Sequence, residues 1–498
     1  LPITILDFQN KAFHSFYYLQ NTHTLKSRLL LIIFFIFEFA SYAQHHEINE
    51  QAVMWKGKPH DVLDSNSLLY AFKTGVTNGH FRYFFSQTTN EGSLSDYFAN
   101  AVGGGLRFET NSYHHFQFAV SGFYFFNIGS SVLHNPDPLT GGLSRYELGL
   151  FDVENPDNHE DMDRLEELYL KYRTNGGTIV FGKQLINTPL INLQDGRMRG
   201  TGVEGLWLDQ SFMEQKFRFQ GGILTAISPR STTKWYKGAE SIGLYSQGLN
   251  PDGTPSQFKG NIDLPFIAVA SMNWKPNKNL NYQAWDYHLP ELFNITFHQL
   301  DLNKKMASSV WTNSVQFARQ WALADGGNED PSKTYIQNGS KSMTFGFRSK
   351  LAFENLHYSL NYNRITPEGR YLFPREWGRD PFFTFMPRER NEGFGDVHAF
   401  VVKIENQSSS SIFKKSGVAF GYFQLPDVKN FALNKYGMPS YFQLNFDLRV
   451  NFSQWMQGLE GQLLLVTKLG AANTYNNPKY QFNKVNMLLT NFVLNYHF

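Results

Sequence analysis

Phe442-Gln443-Leu444-Asn445-Phe446-Asp447-Leu448-Arg449-Val450-Asn451 alternates apolar and polar side chains without a break. Successive side chains of a strand point to opposite faces, so Phe442, Leu444, Phe446, Leu448 and Val450 share one face. Gln443, Asn445, Asp447, Arg449 and Asn451 share the other. Taken alone, such a strand fits a soluble sandwich as well as a membrane wall. Recurrence decides between them. Phe116, Phe118, Val120, Tyr124 and Phe126 alternate with Gln117, Ser121 and Asn127. Met343, Phe345 and Phe347 alternate with Thr344, Gly346, Arg348 and Lys350, and Leu356, Tyr358, Leu360 and Tyr362 with His357, Ser359, Asn361 and Asn363.

Working outward, eighteen such segments centre near residues 83, 106, 121, 169, 181, 206, 220, 269, 284, 297, 315, 346, 360, 401, 419, 446, 465 and 492. Those near 83 and 284 alternate least well. Short spacers (Thr174-Asn175-Gly176-Gly177, Lys275-Pro276-Asn277-Lys278 and 408–411) alternate with long ones at 129–163, 229–263, 323–340 and 367–396. An even strand number with short periplasmic turns and long extracellular loops is the plan of a bacterial outer-membrane barrel. Composition agrees: 16% of residues are aromatic and Phe alone (47) outnumbers the acidic residues (43). Mean hydropathy is nonetheless −0.38. One face in lipid, one in water and aromatic girdles between them reconcile these values. The expected fold class is all-β, an 18-stranded antiparallel transmembrane β-barrel. Its last strand carries Phe492, Leu494, Tyr496 and Phe498 on one face. A terminal aromatic on the lipid face is what the barrel assembly machinery reads, and that strand must pair well because an open edge in lipid leaves backbone groups unsatisfied.

The N-terminal region reads as an export signal. Lys26-Ser27-Arg28 precedes the apolar run Leu29 to Phe37, and Ala40-Ser41-Tyr42-Ala43 supplies a small-x-small cleavage pattern before Gln44. The run is too short to span a bilayer as a helix, which takes roughly 20 residues. Because the chain begins at Leu1 rather than Met, 1–25 reads as an over-extended reading frame with the start near Lys26. The expected organisation is 1–43 upstream extension and cleaved signal peptide, 44–75 periplasmic segment, and 76–498 barrel. The location is the outer membrane, with lipids and lipopolysaccharide around the wall. There is no Cys, hence no disulfide scaffold and no Cys-ligated metal.

Eighteen strands leave an aqueous lumen. The alternation points Arg348, Lys350, Asp447 and Arg449 into it, as pore charges or simply as a solvated wall. The segment between the fifth and sixth strands, 187–199, mixes Pro189, Leu190, Ile191 and Leu193 with an Asp195-Gly196 turn, Arg197 and Arg199. An exposed loop has no need of that apolar density. A loop folded inward would pack it on the wall and aim an arginine, whose fork binds carboxylates and whose charge does not titrate, at the channel.

Asp163-Arg164-Leu165-Glu166-Glu167-Leu168-Tyr169-Leu170-Lys171-Tyr172, then Phe181-Gly182-Lys183 and Asp195-Gly196-Arg197, resembles the outer-membrane porins of the OprD family. So do Phe373-Pro374-Arg375-Glu376-Trp377-Gly378-Arg379-Asp380, 388–393, and Leu94-Ser95-Asp96-Tyr97 ahead of Gly103-Gly104-Gly105. The resemblance covers essentially the whole mature chain and is most specific over 163–207. It implies eighteen strands, an inward-folded third loop, a ladder of basic residues along one wall, and passive diffusion of small solutes, often carboxylates or amino acids. It assigns Asp195, Gly196, Arg197 and Arg199 to the constriction; Arg348, Lys350 and Arg449 are inward by alternation. The implied function is a partly selective porin for carboxylate-bearing solutes without a cofactor, with a homotrimer as the plausible assembly.

Other constellations were weighed. Asp152, Glu154, Asp157, Glu160, Asp161 and Asp163 form an acidic run in the second long loop. Asp157, Asp161 and Asp163 are candidate Ca²⁺ ligands, against the alternative of a solvated loop. His45-His46 and His114-His115 read as exposed turn residues. Arg370, Arg375, Arg379, Arg388 and Arg390 gather with Phe382, Phe383 and Phe385 in one extracellular loop, which excludes nucleic acid. They form either a vestibule that draws anions to the mouth or internal pairs with Glu376, Asp380, Glu389 and Glu392. A barrel lipase or protease and a non-selective general porin are the alternatives, but no Gly-x-Ser-x-Gly elbow and no catalytic group stand out. An active transporter would need a plug domain before the barrel, and a fatty-acid channel a longer apolar hatch; 44–75 supplies neither.

Overall fold

The computed structural model describes residues 67–498 apart from 161, 194–196, 390 and 409–411. The expected export signal, Asp161 and Asp195 therefore lie outside the described residues.

Helix α1 (Leu68–Lys73) leads into β1 (Val76–Asn90), β2 (Tyr97–Glu109), β3 (Phe116–Ser130), β4 (Met162–Thr174), β5 (Gly177–Gln184), β6 (Gly202–Phe212) and β7 (Phe217–Ser228). A two-residue strand, β8 (Tyr236–Lys237), follows. Then come β9 (Ile267–Asn277), β10 (Leu280–Leu289), β11 (Phe293–Lys305), β12 (Ser309–Ala322), β13 (Lys341–Phe353) and β14 (Leu356–Ile365). The chain ends with β15 (Val397–Gln407), β16 (Phe413–Gln424), β17 (Tyr441–Asn451), β18 (Leu459–Gly470) and β19 (Met487–His497). Every expected centre falls inside one of the long strands. The connection expected at 275–278 is tighter than the sequence suggested, because β9 runs through Pro276 to Asn277.

Each long strand pairs antiparallel with its sequence neighbours; β7 pairs directly with β9, and β8 adds only two residue pairs beside β7. The sheet closes through β1 and β19, in register from His80↔His497 to Asn90↔Met487. Beyond the last strand residue, Gly79 N donates to Phe498 O at 2.8 Å and Phe498 N to Gly79 O at 3.1 Å. A Cβ on Gly79 would overlap the Phe498 ring, so this glycine makes room for the terminal aromatic over the β1 backbone. Gly79→Val is therefore expected to weaken closure by about 1–3 kcal/mol of overpacking. The check is the heat-modified electrophoretic mobility of the folded barrel, which should convert at lower temperature than wild type.

Burial is inverted relative to a soluble protein. On β17, Phe442 is exposed and Leu444, Phe446 and Leu448 are half-exposed, whereas Gln443, Asn445 and Asp447 are buried. Leu360, Phe400, Phe181 and Val315 likewise stand exposed on the outside. Such an apolar belt suits hydrocarbon, where strands satisfy every backbone group only by closing on themselves. The chain folds back along one rim in short turns, beside which α1 stacks Phe72 on Phe108 (6.2 Å) and Phe118 (6.4 Å). At the other rim the long loops emerge. Numbered in chain order, those that matter are L2 (131–161), L3 (185–201), L4 (229–266), L7 (366–396), L8 (425–440) and L9 (471–486).

Candidate constriction of the lumen

The first element of the site is a fault in β4. Its register against β3 jumps between Ser121↔Glu167 and Gly122↔Leu165, a bulge that leaves Glu166 as the extra residue. A bulge re-aims side chains. Here it turns both Glu166 and Glu167 inward, at 0% and 5% exposure, where strict alternation would send one of them to lipid. Glu167 receives Arg107 Nε at 3.0 Å and the Ser121 hydroxyl at 2.9 Å. Glu166 receives Arg164 NH2 at 2.8 Å and Arg199 Nε at 2.5 Å, and Arg199 closes a second contact with the other oxygen. All three side chains of this triad are wholly buried. Arg199 also stacks over the Phe123 ring at 3.6 Å, and Arg164 donates to Ser228 Oγ, Pro229 O and Gly200 O. The triad thus ties the end of L3 to the barrel wall.

L3 is buried on its apolar side, Leu190 and Ile191 at 1% exposure. Its main partner is L7. Asn192 Nδ2 donates to Arg379 O at 3.0 Å and Arg379 N returns a bond to Asn192 Oδ1 at 3.1 Å. Asn192 N donates to Trp377 O, and the Thr201 hydroxyl to Glu376 O. The contact is backbone-close at Gly378, where a Cβ would collide with Leu190 O. Trp377, 0% exposed, packs edge-on against Phe373 and donates from Nε1 to Ser241 of L4 at 2.8 Å.

L7 itself is held by inward-facing side chains of five strands. On β12, Gln320 exchanges two bonds with Leu372 (Nε2 to O at 2.5 Å, N to Oε1 at 2.9 Å), and Gln316 donates to Pro381 O at 2.9 Å. Lys403 of β15 donates to Phe383 O at 2.9 Å, Gln443 and Asn445 of β17 to Pro387 O, and Lys468 of β18 to Arg388 O at 2.6 Å. Arg388 NH2 reaches Asn491 of β19. Loop backbone in a barrel interior must replace water as hydrogen-bond partner, and these wall side chains do so.

The long loop expected at 367–396 is thus one that folds inward from the rim: 371–374 and 376–386 are buried without interruption. Of its arginines, Arg370 donates to Leu249 O at 2.6 Å, Arg375 to Ser246 O at 2.6 Å with Glu392 at 3.5 Å, and Arg379 stacks over Phe385. The physical reason is the apolar content of the loop: Tyr371, Phe373, Trp377, Phe382 and Met386 join one core cluster with inward residues such as Tyr287, Phe297 and Val401.

Arg197, left-handed at φ 36°, donates to Ser231 Oγ at 3.2 Å and lies over Gly149, so it braces L3 against L2 and L4. Arg348 is buried, bonds Asp301 at 3.3 Å and Ser314 at 3.0 Å, and sits 4.3 Å from the Phe383 ring of L7. Nearer the short-turn rim, Lys415 of β16 is directly opposite Arg449 of β17 in register. Lys350 is in electrostatic range of Lys415, and Arg82 of β1 in range of Arg449. Asp447 (3.3 Å from Arg449) and Glu405 partly balance this row. In the acidic stretch, Asp157 pairs with His134, Asp163 faces outward, and Glu154 receives Tyr236 and Lys259 at 2.9 Å each. Among the described residues no three His, Asp or Glu converge as a metal-ion set.

Fold and site define a class: a closed outer-membrane barrel whose lumen is narrowed by its own loops, that is, a porin. A family model described as outer membrane porin, OprD family, matches residues 139–365 and bears out the resemblance found in the sequence. On these findings the protein is a porin of the bacterial outer membrane, a channel and not an enzyme. Among solved structures, Pseudomonas aeruginosa OccK8 (OprE) matches with a TM-score of 0.64 at 12% identity, over 86% of this chain and 99% of that one. Acinetobacter baumannii OccAB4 gives 0.65 at 14% identity, covering 85% and 97%. Pseudomonas aeruginosa OpdK, solved with vanillate, gives 0.62 at 13%, covering 86% and 99%. No curated protein sequence matches the chain.

Proposed function

We propose that this porin passes small hydrophilic solutes bearing a carboxylate, such as amino acids and organic acids, and that inward-facing basic side chains select them. The observation that carries the reading is the set of inward cations Arg82, Arg449, Lys415 and Lys350, each within electrostatic range of the next across the strands from β1 through β19 to β13. A low-dielectric wall focuses such a field and raises the local concentration of anions. Within this reading Arg197 and Arg199 position L3 and contribute charge to the constriction, with Asp195 at its turn. Arg348 fixes L7 above the row. The vanillate of the OpdK structure is itself a carboxylate, which favours the same solute class.

On the same footing, residues 26–43 serve as the export signal and 44–75 as a periplasmic segment. The β19 strand ending in Phe498 is the mark read by the assembly machinery, and copies associate through the outer wall as a trimer.

Reversal potentials in planar bilayers under a KCl gradient test the selectivity. Lys415→Ala with Arg449→Ala should move the channel from anion preference towards none, and Arg197→Ala with Arg199→Ala should alter both conductance and preference. Unchanged ion preference in both pairs would remove the basic-wall assignment; absence of any channel would remove the pore assignment.

A further inference from the structure

Helix α1 lies on the lipid side of the wall. Alternation sends Leu106 and Phe108 of β2 and Phe116, Phe118 and Val120 of β3 outward, while Arg107, Gln117 and Ala119 point into the lumen. Phe72 stacks on two of the outward rings beside the short-turn rim, Phe108 at 6.2 Å and Phe118 at 6.4 Å. A Cβ on Gly75 would collide with the Phe108 ring, so the chain passes close against this outer face before it enters β1. The turn between β2 and β3 fixes the helix there. Asn111 N donates to Ala71 O at 2.9 Å, and Asn111 Nδ2 to Thr74 Oγ1 at 2.9 Å. The Ser67 hydroxyl caps the other end by accepting from Tyr70 N at 3.1 Å.

At about 100° per residue, Leu68, Leu69 and Phe72 form one apolar stripe, with Tyr70 on the opposite side. All three stripe residues are exposed, Leu69 at 64%, whereas Ala71 is buried. Lys73 is the one charged residue of the helix and stands next to Leu69 on its circumference. The stripe continues the apolar belt of the wall. Phe116, on the same face of β3 as Phe118 and two residues nearer the rim, is exposed and packs at 4.9 Å against Tyr172 of β4. Aromatic side chains gathered at one rim of a barrel mark the level where lipid meets water. A protein partner is disfavoured by size: a stable interface buries roughly 1,200 Å² or more in total, beyond what three side chains of a six-residue helix supply. A lipid leaflet needs only a stripe continuous with the belt and a cation that reaches the head groups along its own alkyl stem.

We infer that α1 is an interfacial anchor, with Leu68, Leu69 and Phe72 at the acyl-chain boundary of the phospholipid leaflet at the short-turn rim and Lys73 among its phosphates. Of the segment proposed above as periplasmic, 68–73 thereby belongs to the membrane surface. The inference needs the barrel in its membrane and is independent of the solute it passes.

The chain contains no Cys, so a single introduced Cys carries a spin label without background. The folded protein is reconstituted in vesicles of phosphatidylethanolamine and phosphatidylglycerol. Each label is then compared for collision with oxygen, which concentrates in hydrocarbon, and with a water-soluble nickel chelate. Leu360→Cys on the lipid-facing wall and Lys278→Cys in the short turn after β9 set the lipid and water limits. Labels at Leu68→Cys and Leu69→Cys should favour oxygen over nickel several-fold more than Lys278→Cys does, at a depth short of the Leu360→Cys label. Tyr70→Cys should follow the nickel chelate. Folding of each variant is read from heat-modified mobility, and two stripe positions keep the test standing where one variant fails to fold. Nickel access along the stripe equal to that at Lys278→Cys would overturn the anchor. So would oxygen access at Tyr70→Cys equal to that at Leu69→Cys, which would mean a helix immersed rather than lying at the surface. Spectral broadening at Leu69→Cys that vanishes on dilution with unlabelled protein would make the stripe a contact between copies and equally overturn it. A barrel outside its membrane would show differently, as a Leu360→Cys label open to nickel.

Discussion

Excising residues 373–392 and joining Leu372 to Gly393 through Asn-Gly is expected to raise single-channel conductance several-fold while leaving the barrel folded. The excision is geometrically conservative. Tyr371 and Phe394 form an antiparallel bridge at the base of L7, and Gly393 N donates to Tyr371 O at 2.8 Å, so the cut ends already stand side by side. An Asn-Gly pair is the favoured two-residue link for such a hairpin. What disappears is the segment whose carbonyls are held by Gln316, Lys403, Gln443, Asn445 and Lys468. Those side chains are polar and will be solvated by the water that replaces the loop, and the strand pairings do not involve L7; Tyr287, Phe297 and Val401 lose their apolar partners and L3 its contacts to 376–379, so the variant should stay a barrel of lower heat stability than wild type. Without the loop, the interior approaches the open lumen that eighteen strands enclose. Noise and anion preference should change together with conductance, because Arg375, Arg379 and Arg388 leave with the loop. Unaltered conductance in planar bilayers would mean that L7 does not limit the pore.

The same loop shows where sequence reading reaches its limit. Strands were legible because period-2 alternation is a local property: Phe442 to Val450 face lipid whatever lies inside the barrel, and each expected centre falls within a strand. Even the poorly alternating segments near 83 and 284 are strands; β1 breaks its pattern with Gly79 against Phe498, and β10 turns Trp285 and Tyr287 towards an apolar interior. The inward side chains were legible as inward, but not as anchors. Gln316, Gln443 and Asn445 have the same composition whether they meet water or a loop backbone. The signal that 367–396 folds in was present in Phe373, Trp377, Phe382, Phe383, Phe385 and Met386, the same apolar density that singled out 187–199. Its arginines left a vestibule and internal pairing equally open, and Arg375 is within 3.5 Å of Glu392. Glu166-Glu167 carried a second overlooked signal: two adjacent carboxylates cannot both avoid lipid on a regular strand, so the pair itself calls for a bulge.

That bulge leads to the largest expected effect on stability. Glu166→Gln should destabilise the folded barrel by about 3–5 kcal/mol, the usual consequence of removing one partner from a buried ion pair. Two guanidinium groups, Arg164 and Arg199, converge on this carboxylate with no exposed side-chain surface on any of the three. Glutamine keeps the shape but presents an amide whose NH2 faces one of the arginines, and no countercharge remains. Arg164 retains Ser228, Pro229 and Gly200 oxygens as acceptors, so the loss should fall mainly on Arg199 and on the L3 segment it carries. The expected result is a lower temperature for conversion of the heat-modifiable band, with L3 newly open to protease between 197 and 200. Adding Arg199→Met to Glu166→Gln removes the stranded charge and should recover part of the stability, because residues in one buried network do not act additively. If the two substitutions instead add independently, or if Glu166→Gln alone converts at the wild-type temperature, the triad does not hold L3 to the wall.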